Sequence, residues 1–330
     1  MMKPTFFLRS LPLALLLALS GLLISCGDKQ EARNAAATPP VATATDDATA
    51  AEPEDSASED MAEAAEEPEE ARPVGRRWTE EELHKALQEK NPAYNGQAQF
   101  HIEGGLVLAA VLAGSNISDI SPLAGMPLLR LDLQNNAVRD LSALKGAPLI
   151  ALYLDGTTVD DLSPLADAEL EELYLNGCRG VSSIEALKGQ PLKLLNLFQT
   201  GVNDLSPLRG APLESLWLNE TPVSDISALA GAPLVTITLH RTQVTDLSPL
   251  AKCPTLQRIH CGETPVTDLS PLKDLVLTRL IFPPNNIKKG LDEIKKMASL
   301  SEVGVTLEQK MWPTDFWQAF DAGAFKPQEQ

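Results

Sequence analysis

Seven aspartates recur along the chain at steps of 21 or 22 residues when Ser183 is counted in the place of one. A row of carboxylates could hold cations, so this series is the first candidate for chemistry. Each aspartate stands two residues before a serine at a turn, where its side chain can accept hydrogen bonds from backbone amides. We therefore expect a structural role for these residues, which are Asp119, Asp140, Asp161, Asp204, Asp225, Asp246 and Asp268.

The histidines offer a second candidate site. The spacing predicts that His240 and His260 lie diagonally on adjacent strands, with no carboxylate at the matching positions. Two ligands do not complete a zinc site. The sequence also lacks a phosphate-binding glycine loop, Gly-x-Ser-x-Gly, His-Glu-x-x-His and the kinase motif set. We expect no metal, no cofactor and no enzymatic activity.

Three cysteines fall within the repeated region. Cys178 occupies a turn position and Cys261 a core leucine position, so both are expected to be buried as small hydrophobic residues. Cys253 lies near the turn before the strand that contains Cys261. A disulfide between these two residues is possible in an oxidising compartment, and the sequence does not decide whether it forms.

The elements that position these side chains follow from the repeat itself. Each unit carries Leu-x-x-Leu-x-Leu, as in Leu149, Leu152 and Leu154, and the final pair has the period of a short strand. A Ser-Pro pair such as Ser163-Pro164 then fits a helix N-cap followed by proline. Because the unit is short, we expect a single 3₁₀ turn instead of a full helix. A fixed period near 21 residues indicates a stacked solenoid.

The phrase Val-x-Asp-Leu-Ser-Pro-Leu-x-Gly-x-Pro-Leu resembles short leucine-rich repeats of the internalin-like kind, closest to those of Planctomycetes and Verrucomicrobia. The resemblance covers about 80–330, with eight recognisable copies and a similar closing phrase, Trp312 to Gly323. It implies an α/β solenoid: a leucine-rich-repeat horseshoe with a parallel concave sheet, 3₁₀ turns on the convex side, and helical and hairpin caps. It also implies a small polar turn residue in each unit, at Asn136, Thr157, Cys178, Thr200, Thr221, Thr242, Thr264 and Asn285.

The N-terminus has the pattern of a targeting segment. Basic residues precede an apolar run over 11–24, too short for a comfortable membrane span, and residues 1–26 are predicted to be a signal peptide. The run ends in Leu-Ile-Ser-Cys26-Gly27, which resembles a bacterial lipobox. That resemblance implies a lipidated, palmitate-bearing Cys26 as a membrane anchor, and Gly27 resembles an outer-membrane sorting signal. A plain signal peptide or a short anchor helix is the alternative.

The remaining domain boundaries follow from composition. The net charge is −18, and 14 acidic residues stand against three basic ones between Gly27 and Arg72. Residues 27–77 are therefore predicted to be a disordered acidic tether rich in Ala, Pro and Glu. We expect an N-terminal cap over 78–112, repeats over 113–288, and an irregular repeat and C-terminal cap over 289–330. Helices are expected from a capping box at Thr79, over 289–298, and after Thr314.

The concave face is the predicted binding surface, because its residues alternate with the core leucines. Tyr153, Tyr174, Phe198 and Trp217 should cluster there. Charge runs from acidic (Asp132, Asp155, Glu172) to basic. Cross-strand aromatic pairing that only stabilises the sheet is the alternative. The predicted ligand-binding residues are Tyr153, Tyr174, Asn196, Phe198, Trp217, His240, Arg258 and His260.

Exposed aromatic side chains flanked by asparagines suit a protein, peptide or glycan partner. No basic stripe is present, which argues against nucleic acid. The sequence thus predicts a lipid-anchored leucine-rich-repeat protein of the cell envelope, at the outer membrane, that binds a partner through its concave face. A structural spacer without a concave ligand is the alternative. The partner, the side of display and the oligomeric state do not follow from the sequence.

Overall fold

The computed structural model describes residues 76–325, which belong to the unit Val74–Gln330. The predicted signal peptide, the predicted lipid-attachment residue Cys26 and nearly all of the predicted tether lie outside the described residues. Within 76–325, no helix has the length and apolar character needed to cross a membrane.

Twelve strands of the described residues form one sheet in chain order. The pairs from β2 to β11 are parallel, and the two terminal pairs, β1–β2 and β11–β12, are antiparallel. The strands are β1 Gln99–Glu103, β2 Leu106–Val111, β3 Arg130–Asp132, β4 Ala151–Tyr153, β5 Glu172–Tyr174, β6 Leu194–Asn196, β7 Ser215–Trp217, β8 Thr236–Thr238, β9 Arg258–His260, β10 Arg279–Ile281, β11 Glu302–Gly304 and β12 Lys310–Met311.

A short 3₁₀ turn follows each of the strands β2 to β10, on the side opposite the sheet. In the first eight turns a leucine packs into the core, as Leu165 and Leu208 do, and in the ninth Pro284 is the buried residue. These turns, at a spacing of about 21 residues, confirm the predicted leucine-rich-repeat solenoid. They are Ser121–Leu123, Ser142–Leu144, Ser163–Leu165, Glu185–Leu187, Ser206–Leu208, Ser227–Leu229, Ser248–Lys252, Ser270–Leu272 and Pro284–Asn286.

The repeated aspartates cap these turns. In all seven copies the Asp Oδ1 accepts the backbone N–H of the serine two residues later, at 2.7–2.8 Å. In the divergent copy Ser183 Oγ accepts from the backbone of Glu185 instead. The predicted local role is therefore confirmed. Ser163 is not an N-cap, however, because it is the first residue of its turn and its amide bonds Asp161.

The small polar positions satisfy backbone carbonyls inside the solenoid. Thr200 Oγ1 donates to Leu197 O at 2.8 Å, and the other threonines do the same in their repeats. Asn136 both donates to Leu112 O and accepts from Ile117 N. Asn285 departs from this pattern, because it is exposed and donates to the Phe325 carbonyl.

Caps close both ends of the core. Helix α1, Glu80–Lys90, begins with the expected capping box between Thr79 and Glu82 and buries Leu83 and Leu87. At the other end, α2 covers only Leu291–Lys295 and α3 covers Pro313–Asp321. Because the unit Val74–Gln330 contains this whole capped core, it is expected to fold on its own.

The expected C-terminal helices differ from the observed ones. The helix predicted over 289–298 begins later, because the backbone of Lys289 pairs with Asp268 and Gly290 is left-handed at φ +83°. Thr314 lies inside α3, whose N-cap is Trp312, and makes no cap. Phe316 is fully buried against Phe282, whereas Trp312 is 68% exposed and does not pack in the cap.

Candidate binding surface on the concave face

The concave face is formed by the strand residues that flank each buried central residue. Leu152, Leu173 and Leu216, at the strand centres, are fully buried. The sheet register places Tyr153 directly beside Tyr174, and Asn196 lies between Tyr174 and Trp217. Adjacent strands are about 4.8 Å apart, so these side chains form one continuous row.

Three aromatic rings contact one another along this row. The Tyr153 and Tyr174 rings stack with centroids 5.1 Å apart and planes at 29°. The Trp217 ring reaches across Asn196 to within 6.1 Å of Tyr174, at 33°. All three side chains are half-buried. Phe198 has no ring contact with them in the described structure, because it follows the end of β6; its predicted membership of the cluster is wrong.

An ion pair borders the N-terminal end of the row. Arg130 lies 4.9 Å from the Tyr153 ring centroid and pairs with Glu172 at 3.3 Å. The Tyr153 hydroxyl is hydrogen-bonded to both partners. Burial raises the pKa of Tyr174 well above its usual value, and the charges of Glu172 and Asp155 add to that increase. Tyr174 therefore keeps its hydroxyl proton at any physiological pH.

Asparagine and aspartate side chains complete the backbone hydrogen bonding where the strands end. Asp155 Oδ1 accepts from Asn176 N at 2.8 Å. In later repeats Asn196 Oδ1 accepts from Phe198 N and Asn219 Oδ1 from His240 N, both at 3.0 Å. A backbone N–H can only donate, so these contacts fix the orientation of both amides. Asp155 is only 8% exposed, so it is buried within the solenoid and contributes little to the accessible concave face.

The two predicted histidines meet toward the C-terminal end of the face. Their rings stack with centroids 4.9 Å apart, as the diagonal placement predicted. His240 Nδ1 bonds the Gly262 carbonyl at 3.0 Å, and its Nε2 lies 3.8 Å from Glu263. A carboxylate therefore does lie near the pair, on Glu263, although it is not at a matching strand position. Among residues 76–325, no group of three His, Cys, Asp or Glu side chains could hold a metal ion.

His260 lies beneath a loop, residues 305–309, that joins β11 to β12. The side chain is only 6% exposed, and neither ring nitrogen has a protein hydrogen-bond partner. A Cβ on Gly262 would meet the Val305 carbonyl at 3.0 Å and His260 Nε2 at 3.1 Å, so glycine lets the loop lie close. Burial, and then the neighbouring His240, lower the pKa of His260 to about 4. The prediction that His260 faces a ligand is contradicted.

Most basic side chains of this end are also engaged. Arg258 Nε donates to Thr236 Oγ1 at 2.9 Å, and Arg279 pairs with Glu302. The ion pairs Arg130–Glu172 and Arg279–Glu302 therefore neutralise part of the predicted change from acidic to basic charge. The periodic pattern gave no signal for the 305–309 loop, because that segment lies outside the regular repeats.

The three cysteines in the described residues are buried free thiols. Cys253 Sγ donates to Leu229 O at 3.3 Å and Cys261 Sγ to Ile281 O at 3.4 Å, so the structure does not contain the possible disulfide. Burial raises the pKa of Cys261 to about 12. These thiols therefore remain protonated and serve the core.

A cavity of about 250 Å³ lies on the turn side of the repeats, beside Asp140, Asp160 and Asp161. Arg139 pairs with Asp160 at 2.5 Å, and the other two carboxylates cap their turns. The carboxylates are thus committed to local partners, which leaves the concave face as the candidate site.

The sequence matches no known protein-family description and no curated protein. Among solved structures, an internalin (InlF) from Listeria monocytogenes 4b F2365 matches with a TM-score of 0.54 and 25% identity, covering 67% of this chain and 73% of that one. Internalin C2 of the same strain matches with a TM-score of 0.41, 21% identity, and 67% and 91% coverage. The chain is thus a leucine-rich-repeat solenoid similar to internalins, a fold that supports protein binding in general.

Proposed function

We propose that the chain is a lipid-anchored, non-enzymatic protein of the cell envelope, displayed at the outer membrane, that binds a protein partner through its concave face. The observation that carries this proposal is the half-exposed row of Tyr153, Tyr174 and Trp217 across β4 to β7. Tyr and Trp are the side chains most enriched at energetically dominant positions of protein interfaces.

The N-terminal sequence supports the anchoring part of the proposal. Acyl chains on Cys26 would hold the protein at a membrane, since each buried methylene adds about 0.8 kcal/mol. The acidic segment 27–77 would then separate the solenoid from the lipid surface, because like charges extend a chain.

A rigid envelope spacer is the second candidate, and the stacking of Tyr153 on Tyr174 favours it. Cross-strand aromatic pairs contribute about 0.2–1 kcal/mol to a sheet without any ligand. The two functions make different predictions for removal of the aromatic side chains. A spacer loses only stability, whereas a binding protein loses its partner.

The test uses the 74–330 unit, immobilised and incubated with detergent-solubilised envelope extract. A Tyr174→Ala/Trp217→Ala variant is compared with the wild type at a temperature where both are fully folded. An Ile150→Ala/Val276→Ala variant is the control, because both side chains are exposed apolar residues outside the aromatic row.

Capture of one protein species by the wild type and the control, with loss in the Tyr174/Trp217 variant, would support concave binding. Equal capture by all three proteins would refute it. Capture by none of them would favour the spacer.

A further inference from the structure

The middle of the concave face is electrically neutral. We define the central patch as Tyr174, Leu194, Asn196, Phe198, Trp217 and Asn219, on and just after β5 to β7. The four apolar and aromatic members are half-buried, and none of the six residues carries a charge at neutral pH. The half-buried Leu194 leaves part of its apolar surface in contact with solvent on this face.

Charged residues that border the patch are already paired within the protein. Glu172 binds Arg130 at 3.3 Å, and Lys193 binds Glu171 at 2.8 Å. On the loop side, Glu220 accepts from Gln199 at 2.8 Å and pairs with Arg241. A charged ligand would have to displace one of these partners to gain an ion pair, so the patch favours an uncharged one.

The hydrogen-bonding groups of the patch are mainly donors. Because the Oδ1 atoms of Asn196 and Asn219 accept backbone N–H groups, their amide NH₂ groups remain, and these have no protein partner among residues 76–325. The Trp217 indole N–H and the Tyr174 hydroxyl also make no hydrogen bond within the described part of the chain. A ligand for this surface must therefore present acceptor oxygens.

The arrangement of the rings distinguishes between ligand classes. Tyr174 has Tyr153 on one side and Trp217 on the other, at 29° and 33°, so its ring faces are covered by its neighbours. A sugar ring stacks on an exposed aromatic face, which Tyr174 does not offer. A peptide, in contrast, combines carbonyl acceptors with apolar side chains that can pack against Leu194 and Phe198.

We infer that the central patch binds an extended, uncharged peptide segment of its partner, through main-chain carbonyl oxygens and apolar side chains. This inference rests on the proposed concave binding function and specifies the chemistry of the partner.

The probe is a random-peptide phage library selected on the 74–330 unit. Enriched peptides are then synthesised, and their Kd is measured by fluorescence anisotropy at low and high salt. We expect enriched sequences that are apolar and uncharged, with a Kd that changes by less than about threefold with salt, because no ion pair forms.

The decisive variant is Asn196→Asp/Asn219→Asp. Aspartate can keep both backbone hydrogen bonds, because Asp132 and Asp155 make the equivalent bonds to Gln134 N and Asn176 N in earlier repeats, but it replaces the NH₂ donors with acceptor oxygens. We expect about a tenfold or larger loss of affinity at an unchanged thermal midpoint. The control is Asn203→Asp, which adds one negative charge, against two in the double variant, at an exposed position after the turn residue Val202.

The outcomes separate this inference from the proposed function. Enrichment of Lys- or Arg-rich or acidic peptides, or unchanged affinity in the double aspartate variant, would overturn the inference alone. Enrichment that survives Tyr174→Ala/Trp217→Ala would overturn concave binding itself. If no peptide is enriched, the inference fails; retention of an uncharged oligosaccharide on a glycan array, lost in that aromatic variant, would then assign the same face to a glycan.

Discussion

His260 is expected to make the solenoid sensitive to acid. Its pKa is lowered to about 4 in the folded protein, from an ordinary value of 6.5. The unfolded chain therefore takes up a proton below pH 6.5 that the folded protein refuses until about pH 4. Stability is complete above pH 6.5 and falls as the pH drops through this window. The two pKa values correspond to about 3 kcal/mol.

The lowered pKa has identifiable sources. Burial beneath the 305–309 loop disfavours the charged imidazolium, and the positive charges of His240 and Arg279 act in the same direction. The carboxylates of Glu263 and Glu308 oppose this effect without overcoming it. The buried position of the ring, with neither nitrogen hydrogen-bonded to a protein group, is consistent with this balance.

The assay is urea unfolding of the wild type and of His260→Phe at several pH values between 7.5 and about 4. Phenylalanine keeps a ring beside His240 but cannot take up a proton. The difference in unfolding free energy should shift by about 3 kcal/mol in favour of the variant on going from neutral pH to about pH 4. Groups that take up protons in both proteins largely cancel in this difference. A difference that stays constant within about 0.5 kcal/mol would refute the reasoning.

Three further predictions address the cap, the backbone and the anchor. Asp119→Ala should cost about 1 kcal/mol in urea unfolding because Ser121 N loses its acceptor, while Asp119→Asn should cost less; equal losses would contradict the capping role. Gly290→Ala should cost about 2–4 kcal/mol, because its Cβ would meet the Ser270 backbone, against about 1 kcal/mol for Gly210→Ala, whose Cβ has open space. Cys26→Ser should abolish incorporation of an alkyne fatty acid and release the protein from the membrane fraction; labelling that persists in the variant would exclude this lipidation site.

The features that could be predicted from the sequence are those that each repeat must satisfy in the same way. The alternation of Leu152 and Leu154 determines which side of the sheet is buried, and Asp161 recurs because every turn has the same unpaired amide. A requirement that is repeated eight times leaves a periodic signal. The fold and the caps of the turns were therefore accessible without a structure.

The site was predicted less well, because it depends on features that do not repeat. Alternation alone groups Phe198 with the rings. It does not distinguish a residue within a strand, such as Tyr174, from a residue just after a strand, such as Phe198. His260 was expected to be accessible, but its burial depends on a single loop at 305–309 and on the missing side chain of Gly262. Paired charges such as Arg130 and Glu172 are adjacent only through the strand register.

The choice between aspartate and asparagine at the strand ends bears on the two proposed functions. The backbone needs one acceptor oxygen at each of these positions, and aspartate supplies it in earlier repeats. Asp132 accepts from Gln134 N as Asn196 does from Phe198 N. Asp155 accepts from Asn176 N as Asn219 does from His240 N. Stability alone therefore does not require an amide at Asn196 or Asn219. The amide differs from a carboxylate in the atom that is not used by the backbone. In asparagine this is an uncharged NH₂ donor, beside the half-exposed Trp217. A spacer gains nothing from that difference, whereas a surface that receives peptide carbonyls does, and this contrast is what Asn196→Asp/Asn219→Asp measures.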